Sequence, residues 1–249
     1  MHLPEINITE ESFVSDVVRK DYRTARVFRK HEIDYCCGGK WTLAVICEMK
    51  GLNFYQLKKE LTLSAKTVQL SNTIRFDTWS IDFLTDYIVN IHHHYLRDAL
   101  PQVKKQLDHF TVSHSNRYVY LAELQDQFHQ LYDESFPHLA MEEEILFPYI
   151  RQIAHAYHSR ESYASLLVRT LRKPVENVMQ HEHETISKIL NRIRLLTDSY
   201  QSPPNACVSH GVTFSLLKEL DNDLVQHVYL ENQVLFPRAI AMEKELLLM

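Results

Sequence analysis

The sequence predicts an all-α protein, an up-down four-helix bundle preceded by a small helical domain, and three observations carry that expectation. Glycine is scarce, with 4 residues in 249, so few positions suit the tight turns and hairpins that glycine serves. Four long segments repeat apolar residues at helical spacing. The breaks between them, HSN at 114–116, HSRES at 158–162 and QSPPNACVSHG at 201–211, are short enough to make successive helices antiparallel.

Taken in order, residues 12–30 read as one helix, and 41–49 and 53–61 as two short ones, with the turn YCCGG between the first and second. From Thr62 to Asp77 the periodicity is lost, as in a linker. The expected domains are therefore a small helical unit at 1–65, a linker at 66–76 and a bundle at 77–249. The bundle helices are expected at about 79–112, 116–155, 161–199 and 212–247.

Composition excludes several classes of function. With 45% hydrophobic residues and 24% charged ones, the chain can bury a core and is not intrinsically disordered. A formal net charge of −5 without a long Lys/Arg run argues against nucleic acid as a partner. The opening residues MHLPEINITE lack the basic and apolar regions of a signal peptide, and no uncharged apolar stretch is long enough to span a bilayer. No membrane association and a cytoplasmic location are expected. Cys36, Cys37, Cys47 and Cys207 do not form a spaced disulfide framework, which fits a reducing compartment.

The chemistry is concentrated in a repeat. HLAMEEEILFP (138–148) and HVYLENQVLFP (227–237) share one spacing and lie 89 residues apart. Each sets a His and a Glu four apart on one helix face, His138 with Glu142 and His227 with Glu231, and each follows with Leu-Phe-Pro, where proline is expected to end or kink the helix. The two preceding helices each carry a histidine on an apolar stripe: His93 with Val89, Leu96, Leu100 and Val103, and His183 with Met179, Ile186 and Leu190. His93 and His183 are 90 residues apart, and the steps to the next motif are 45 and 44 residues. The bundle thus reads as one helical hairpin used twice.

Four imidazoles and two carboxylates in a bundle core are costly to bury without a countercharge, which two divalent metals would supply. A nitrogen and oxygen donor set without cysteine disfavours structural zinc and suits iron, with the carboxylates free to bridge. Six protein ligands leave open coordination positions for a small molecule. A lone HxxxE is most often a solvated helix pair, and unligated core histidines are the bland alternative. The recurrence of the motif, its flanking residues and its partner histidines weighs against both. The HEHE at 181–184 is not the zinc-protease motif, since Thr185 stands where the second His would be.

Within the triplet His92–His94, His94 shares its stripe with Asn90 and Asp98 and reads as solvated. His92 lies beside Ile88 and Tyr95 and stays open as an alternative ligand or as a donor supporting one. His31, His129, His155, His158 and His210 read as surface residues. The carboxylate-rich ferritin-like bundles use Glu-x-x-His; the reversed order and histidine excess here shift the expectation toward hemerythrin-like chemistry.

Gly38 and Gly39, half of all the glycines, directly follow Cys36 and Cys37. A helix starting near Lys40 would lower a thiolate pKa there and make the pair reactive. A redox, docking or metal-transfer role and a reduced structural turn are both open. Cys47 and Cys207 read as packing residues.

On RVFRKHEIDYCCGGKWTL (26–43), HHHYLRDALP (92–101), HLAMEEEILFP (138–148), MQHEHE (179–184) and HVYLENQVLFPRAI (227–240), the chain resembles the bacterial di-iron proteins that repair iron-sulfur clusters, the repair of iron centres family. That resemblance covers nearly the whole chain and implies a hemerythrin-like bundle. It further implies a non-haem pair of iron ions, oxo- or hydroxo-bridged, held by His93, His138, His183 and His227 with Glu142 and Glu231 bridging. The implied role is restoring iron-sulfur clusters damaged by nitric oxide or oxidants, through iron donation or nitric oxide reduction. Nitric oxide or oxygen would be the small ligand and damaged iron-sulfur proteins the clients, with Cys36 and Cys37 as candidate reactive residues and a homodimer allowed. The competing expectations are a hemerythrin-type oxygen or nitric oxide carrier or sensor without turnover, and an interaction protein with a structural metal. The fused thiol pair speaks for repair over a simple carrier.

Overall fold

A computed structural model describes residues 7–35, 41–65, 74–160, 165, 166, 168 and 175–248, with 175–182 described by their backbone only. Cys36, Cys37, Gly38, Gly39 and Lys40 lie outside the described residues. The described residues are helical, with no strand beyond one isolated bridge between Phe13 and Thr42.

The chain divides into two compact units, one made of Met1–Asn72 with Tyr200–Lys218, the other of Thr73–Ser199 with Glu219–Met249. In the first, α1 (Val14–Lys20), α2 (Ala25–Lys30), α3 (Leu43–Lys50) and α4 (Phe54–Ser64) bury a core of Val14, Val17, Phe28, Leu43, Leu57 and Leu61. The single helix expected over 12–30 is broken at Asp21, which is extended at φ −148° and ψ 105°. Its carboxylate caps the amide of Arg23 and pairs with the Arg23 guanidinium, which in turn donates to the Ala65 carbonyl at the end of α4. Asp is a strong competitor for backbone N–H groups, so it stops one helix and starts the next turn. Helix α3 begins at Leu43 with Thr42 as its cap, beyond the Lys40 start on which the thiolate expectation turned. Gly51 ends it at φ 64°, a left-handed conformation that glycine adopts without strain.

In the second unit, α5 (Ile81–Tyr87) and α6 (His94–His114) are joined by a π turn, Ile88–His93. Next come α7 (Leu121–Met141), the π turn Glu142–Leu146 and α8 (Phe147–Ser159). They are followed by α9 (Val175–Leu196) and then by α10 (Val208–Tyr229), the π turn Leu230–Leu235 and α11 (Phe236–Leu248). The first residues of α10 belong to the other unit, where Val208 and Val212 join its core. That helix starts four residues before the expected 212, so His210, expected at the surface, is buried with its ring edge against Phe214 at 4.3 Å.

Packing follows the periodicity. In α6, Leu96, Leu100, Val103, Leu107 and Phe110 are buried in alternating steps of four and three, the apolar stripe that faces a neighbouring helix. Helix α6 packs on α7, and α7 on α9. A second core, around Leu84, Ile88, Leu146, Phe147, Leu230 and Leu235, seals the π turns. No described helix is long and apolar enough to cross a membrane.

Candidate metal centre

The six candidate ligands occupy core positions of their helices. In α7 the buried residues run Leu121, Leu124, Phe128, Leu131, Ser135 and His138, and Glu142 continues the series at the first residue of the π turn. The stripe that packs the bundle therefore carries polar donors inward at one level. Three of the six, His93, Glu142 and Glu231, lie within π turns, which insert a residue into the helix and re-aim the side chains around it. Pro148 and Pro237 each stand two residues after such a turn. Of the expected end or kink, the end does not occur: the chain stays helical through both prolines, and the widened turn before each accommodates the residue that lacks an N–H.

The structure gathers the predicted residues into two donor groups, His93, Glu142, His227 and Glu231, and His138, Glu142, His183 and Glu231, each with its ligating atoms within 4.8 Å of one another. Both carboxylates belong to both groups. Glu142 Oε2 lies 3.3 Å from His93 Nε2 and 3.8 Å from His227 Nε2, and Oε1 lies 3.4 Å from His138 Nε2 and 3.9 Å from His183 Nε2. Glu231 stands 2.9 Å from His227 Nε2 and 3.3 Å from His183 Nε2. All six are buried, the two carboxylates completely.

Two partners that the sequence reading missed orient the rings. His93 Nδ1–H donates to Glu143 Oε1 at 2.7 Å, and His183 Nδ1–H donates to Asn232 Oδ1 at 3.0 Å. With these protons turned outward, each Nε2 directs a lone pair at the carboxylates. Neutral imidazole nitrogens facing carboxylate oxygens at 3.3 Å repel unless a cation lies between them, so the donor set fits divalent metal ions. The signal was present in the repeat, because Glu143 and Asn232 each directly follow a shared carboxylate. Phe147 and Phe236 of the two Leu-Phe-Pro segments stack on His93 and His183, with ring centroids 5.6 and 6.1 Å apart. The Leu-Phe-Pro repeat thus packs the rings of candidate ligands, a role that proline chemistry alone did not suggest.

The triplet resolves by position. His93 is in a donor group; His94 is exposed, 4.0 Å from Asp98. His92 is buried beside the site, with Nδ1 3.0 Å from Asp223 and its ring stacked on His227 at 5.9 Å, but it is in neither group. Asp223 had no sequence signature. Of the histidines read as surface residues, His155 and His158 are exposed, while His31 and His129 are half-buried against Glu60 and Asp108. Cys47 is a buried free thiol and Cys207 is half-buried.

Burial, and then the neighbouring His227, push the pKa of His93 from 6.5 down to about 4, against the pull of Glu143 and Glu231. Burial alone would raise Glu231, but in the metal-free protein the charge and hydrogen bonds that His227 and His183 supply when protonated outweigh it and hold this carboxyl well below the ordinary range. Between pH 6.5 and about 4 the unfolded chain therefore binds the proton that folded His93 refuses. This contribution to stability is complete above pH 6.5 and is lost as the pH falls toward 4. Metal-free protein is expected to show a urea midpoint that declines across this window, with His93→Gln flattening the decline. A midpoint that rises on acidification would contradict the assignment.

Two family models match the chain. Residues 85–239 match the hemerythrin HHE cation binding domain, and residues 10–65 match a domain of unknown function named ScdA_N. Among curated proteins, the chain is 33% identical to the iron-sulfur cluster repair protein YtfE of Edwardsiella ictaluri over 218 residues, covering 88% of this chain and 91% of that protein. It is 30% identical to the probable iron-sulfur cluster repair protein of Haemophilus influenzae, covering 86% and 90% of the two chains. The Escherichia coli YtfE protein is 32% identical, with 89% and 93% covered.

Proposed function

Because the chain belongs to the iron-sulfur cluster repair proteins that carry a hemerythrin-like cation-binding domain, we propose that it restores iron-sulfur clusters damaged by nitric oxide or oxidative stress, using a non-haem di-iron centre. His93, His138, His183 and His227 would hold the iron pair through nitrogen, with Glu142 and Glu231, which belong to both donor groups, as its carboxylate donors. When bound, the iron pair supplies ferrous ion for a stripped cluster and a redox centre open to nitric oxide or oxygen. The residues of the chain set the conditions for that chemistry. Glu143 and Asn232 fix ring orientation and tautomer, while Ile88, Leu146, Phe147 and Leu230 exclude bulk water from the buried donors. Damaged iron-sulfur proteins are the clients and the cytoplasm is the location.

The single observation that supports this reading most is the sharing of both carboxylates by two histidine pairs, which is what a dinuclear site requires and a lone buried ion pair does not. Anaerobic purification with metal analysis, followed by Mössbauer spectroscopy before and after nitric oxide, tests it. Two irons per chain with a spectrum changed by nitric oxide is the expected result. Zinc in place of iron, in protein expressed with iron available, would defeat it.

The thiols of Cys36 and Cys37 have a part in repair under this reading. Replacing both by Ser is expected to leave the iron content and spectrum intact, since no cysteine belongs to the donor set. Recovery of a nitric-oxide-damaged iron-sulfur enzyme should nevertheless fall, because serine hydroxyls stay protonated at neutral pH and neither bind iron nor exchange electrons as thiolates do. Unchanged recovery would leave the pair as a structural turn.

A further inference from the structure

The duplicated hairpin places one residue in the same role at both metal positions, and the residue differs. Glu143 and Asn232 are 89 positions apart, the interval that relates His138 to His227 and Glu142 to Glu231. Each accepts the Nδ1–H of the histidine from the preceding helix, but Glu143 does so with a carboxylate and Asn232 with a neutral amide. A carboxylate behind an imidazole raises the basicity of the ligating nitrogen, and such an outer partner is worth about 10–100-fold in metal affinity. Arg97 donates to the same Glu143 oxygen at 2.7 Å.

Their surroundings differ in the same sense. Asn232 lines a groove of about 300 Å³ together with Ser187, Asn191 and Gln233, so water can compete for its carbonyl oxygen. Glu143 is half-buried like Asn232, but it is pinned by the Arg97 guanidinium at 2.7 Å, whereas Asn232 borders the groove.

We propose that the two metal positions hold their ions unequally, and that the ion bound by His138 and His183 leaves first. The inference rests on the reading of the six residues as a two-iron ligand set, and it names which half of that set is the releasable one. No change in the bridging carboxylates is needed, since both serve both ions.

The test uses the full chain loaded anaerobically with two ferrous ions and mixed with an excess of a chromogenic iron chelator. The unmodified protein is expected to release iron in two phases of one ion each, with rates about tenfold or more apart. Asn232→Asp should slow the fast phase toward the slow one, and Glu143→Gln should speed the slow phase toward the fast one, at unchanged helix content. A measurement that needs no variant supports the pair: loading with one equivalent of iron-57 should give a single Mössbauer doublet. Release of both ions in one phase, or a fast phase indifferent to Asn232→Asp, would overturn the proposal while leaving the di-iron reading intact. Failure of the chain to take up two irons at all would overturn both.

Discussion

Replacing Glu142 by Ala is expected to strip the purified protein of most of its iron, to below about one ion per chain, because ligand number and charge set metal retention. The carboxylate is completely buried and its two oxygens lie between 3.3 and 3.9 Å from the Nε2 atoms of all four histidines. No other single substitution touches both donor groups so evenly; Glu231→Ala is expected to come closest. The variant loses a carboxylate shared by both donor groups and, with it, one of the two negative charges that would offset the metal charge. Glu142→Gln separates these effects from packing, since it keeps the volume of the side chain and still removes the charge, and it should lose iron nearly as severely. The thermal midpoint should drop with the metal, by the mass-action stabilisation that a tight ligand contributes. Metal analysis of the three proteins decides the matter: two irons retained in Glu142→Ala would mean that the bridging carboxylates lie elsewhere.

The second large effect is expected within the triplet. His93→Ala should weaken iron binding by about 100-fold or more, since it removes a direct nitrogen donor together with the Glu143 link behind it. His92→Ala should change the spectrum modestly, because His92 stacks on the candidate ligand His227 and holds Asp223 without joining either donor group. His94→Ala should change nothing, as its side chain is 78% exposed. Titration of each variant with ferrous ion under anaerobic conditions gives the ranking directly. A dominant loss in His92→Ala would show that the register of the first bundle helix is shifted by one residue.

Much of the centre was legible because the chain states it twice. The matched His-to-Glu spacings at 138–142 and 227–231, with His93 and His183 at nearly equal intervals before them, selected the six residues that the fold brings together. The π turns were not legible. Their cue, Leu-Phe-Pro, reads locally as a helix end or kink without saying which, since proline lacks the N–H that an α-helix needs. The fold instead absorbs the proline by widening the preceding turn and sets the phenylalanine against a ligand ring. The break at Asp21 was missed for a related reason: apolar periodicity continues across 12–30, and a single capping carboxylate outweighs it.

The sequence by itself determined the helical class, the duplicated hairpin and the six candidate ligands, because periodicity and repeat spacing are properties of the chain alone. Only the tertiary structure decided that His92, open as an alternative to His93, stays outside both donor groups, and that Glu143, Asn232, Phe147 and Phe236 stand behind the candidate ligand rings. It also buried His210, because the helix that carries it begins at Val208, four residues ahead of the expected start. The physical reason is common to all of these. A helix presents a histidine every 100° or so around its axis, and one widened turn shifts that phase by enough to exchange neighbours. Which neighbour ends up inside is decided by the helices packed around it, and those contacts join residues 49 to 134 positions apart.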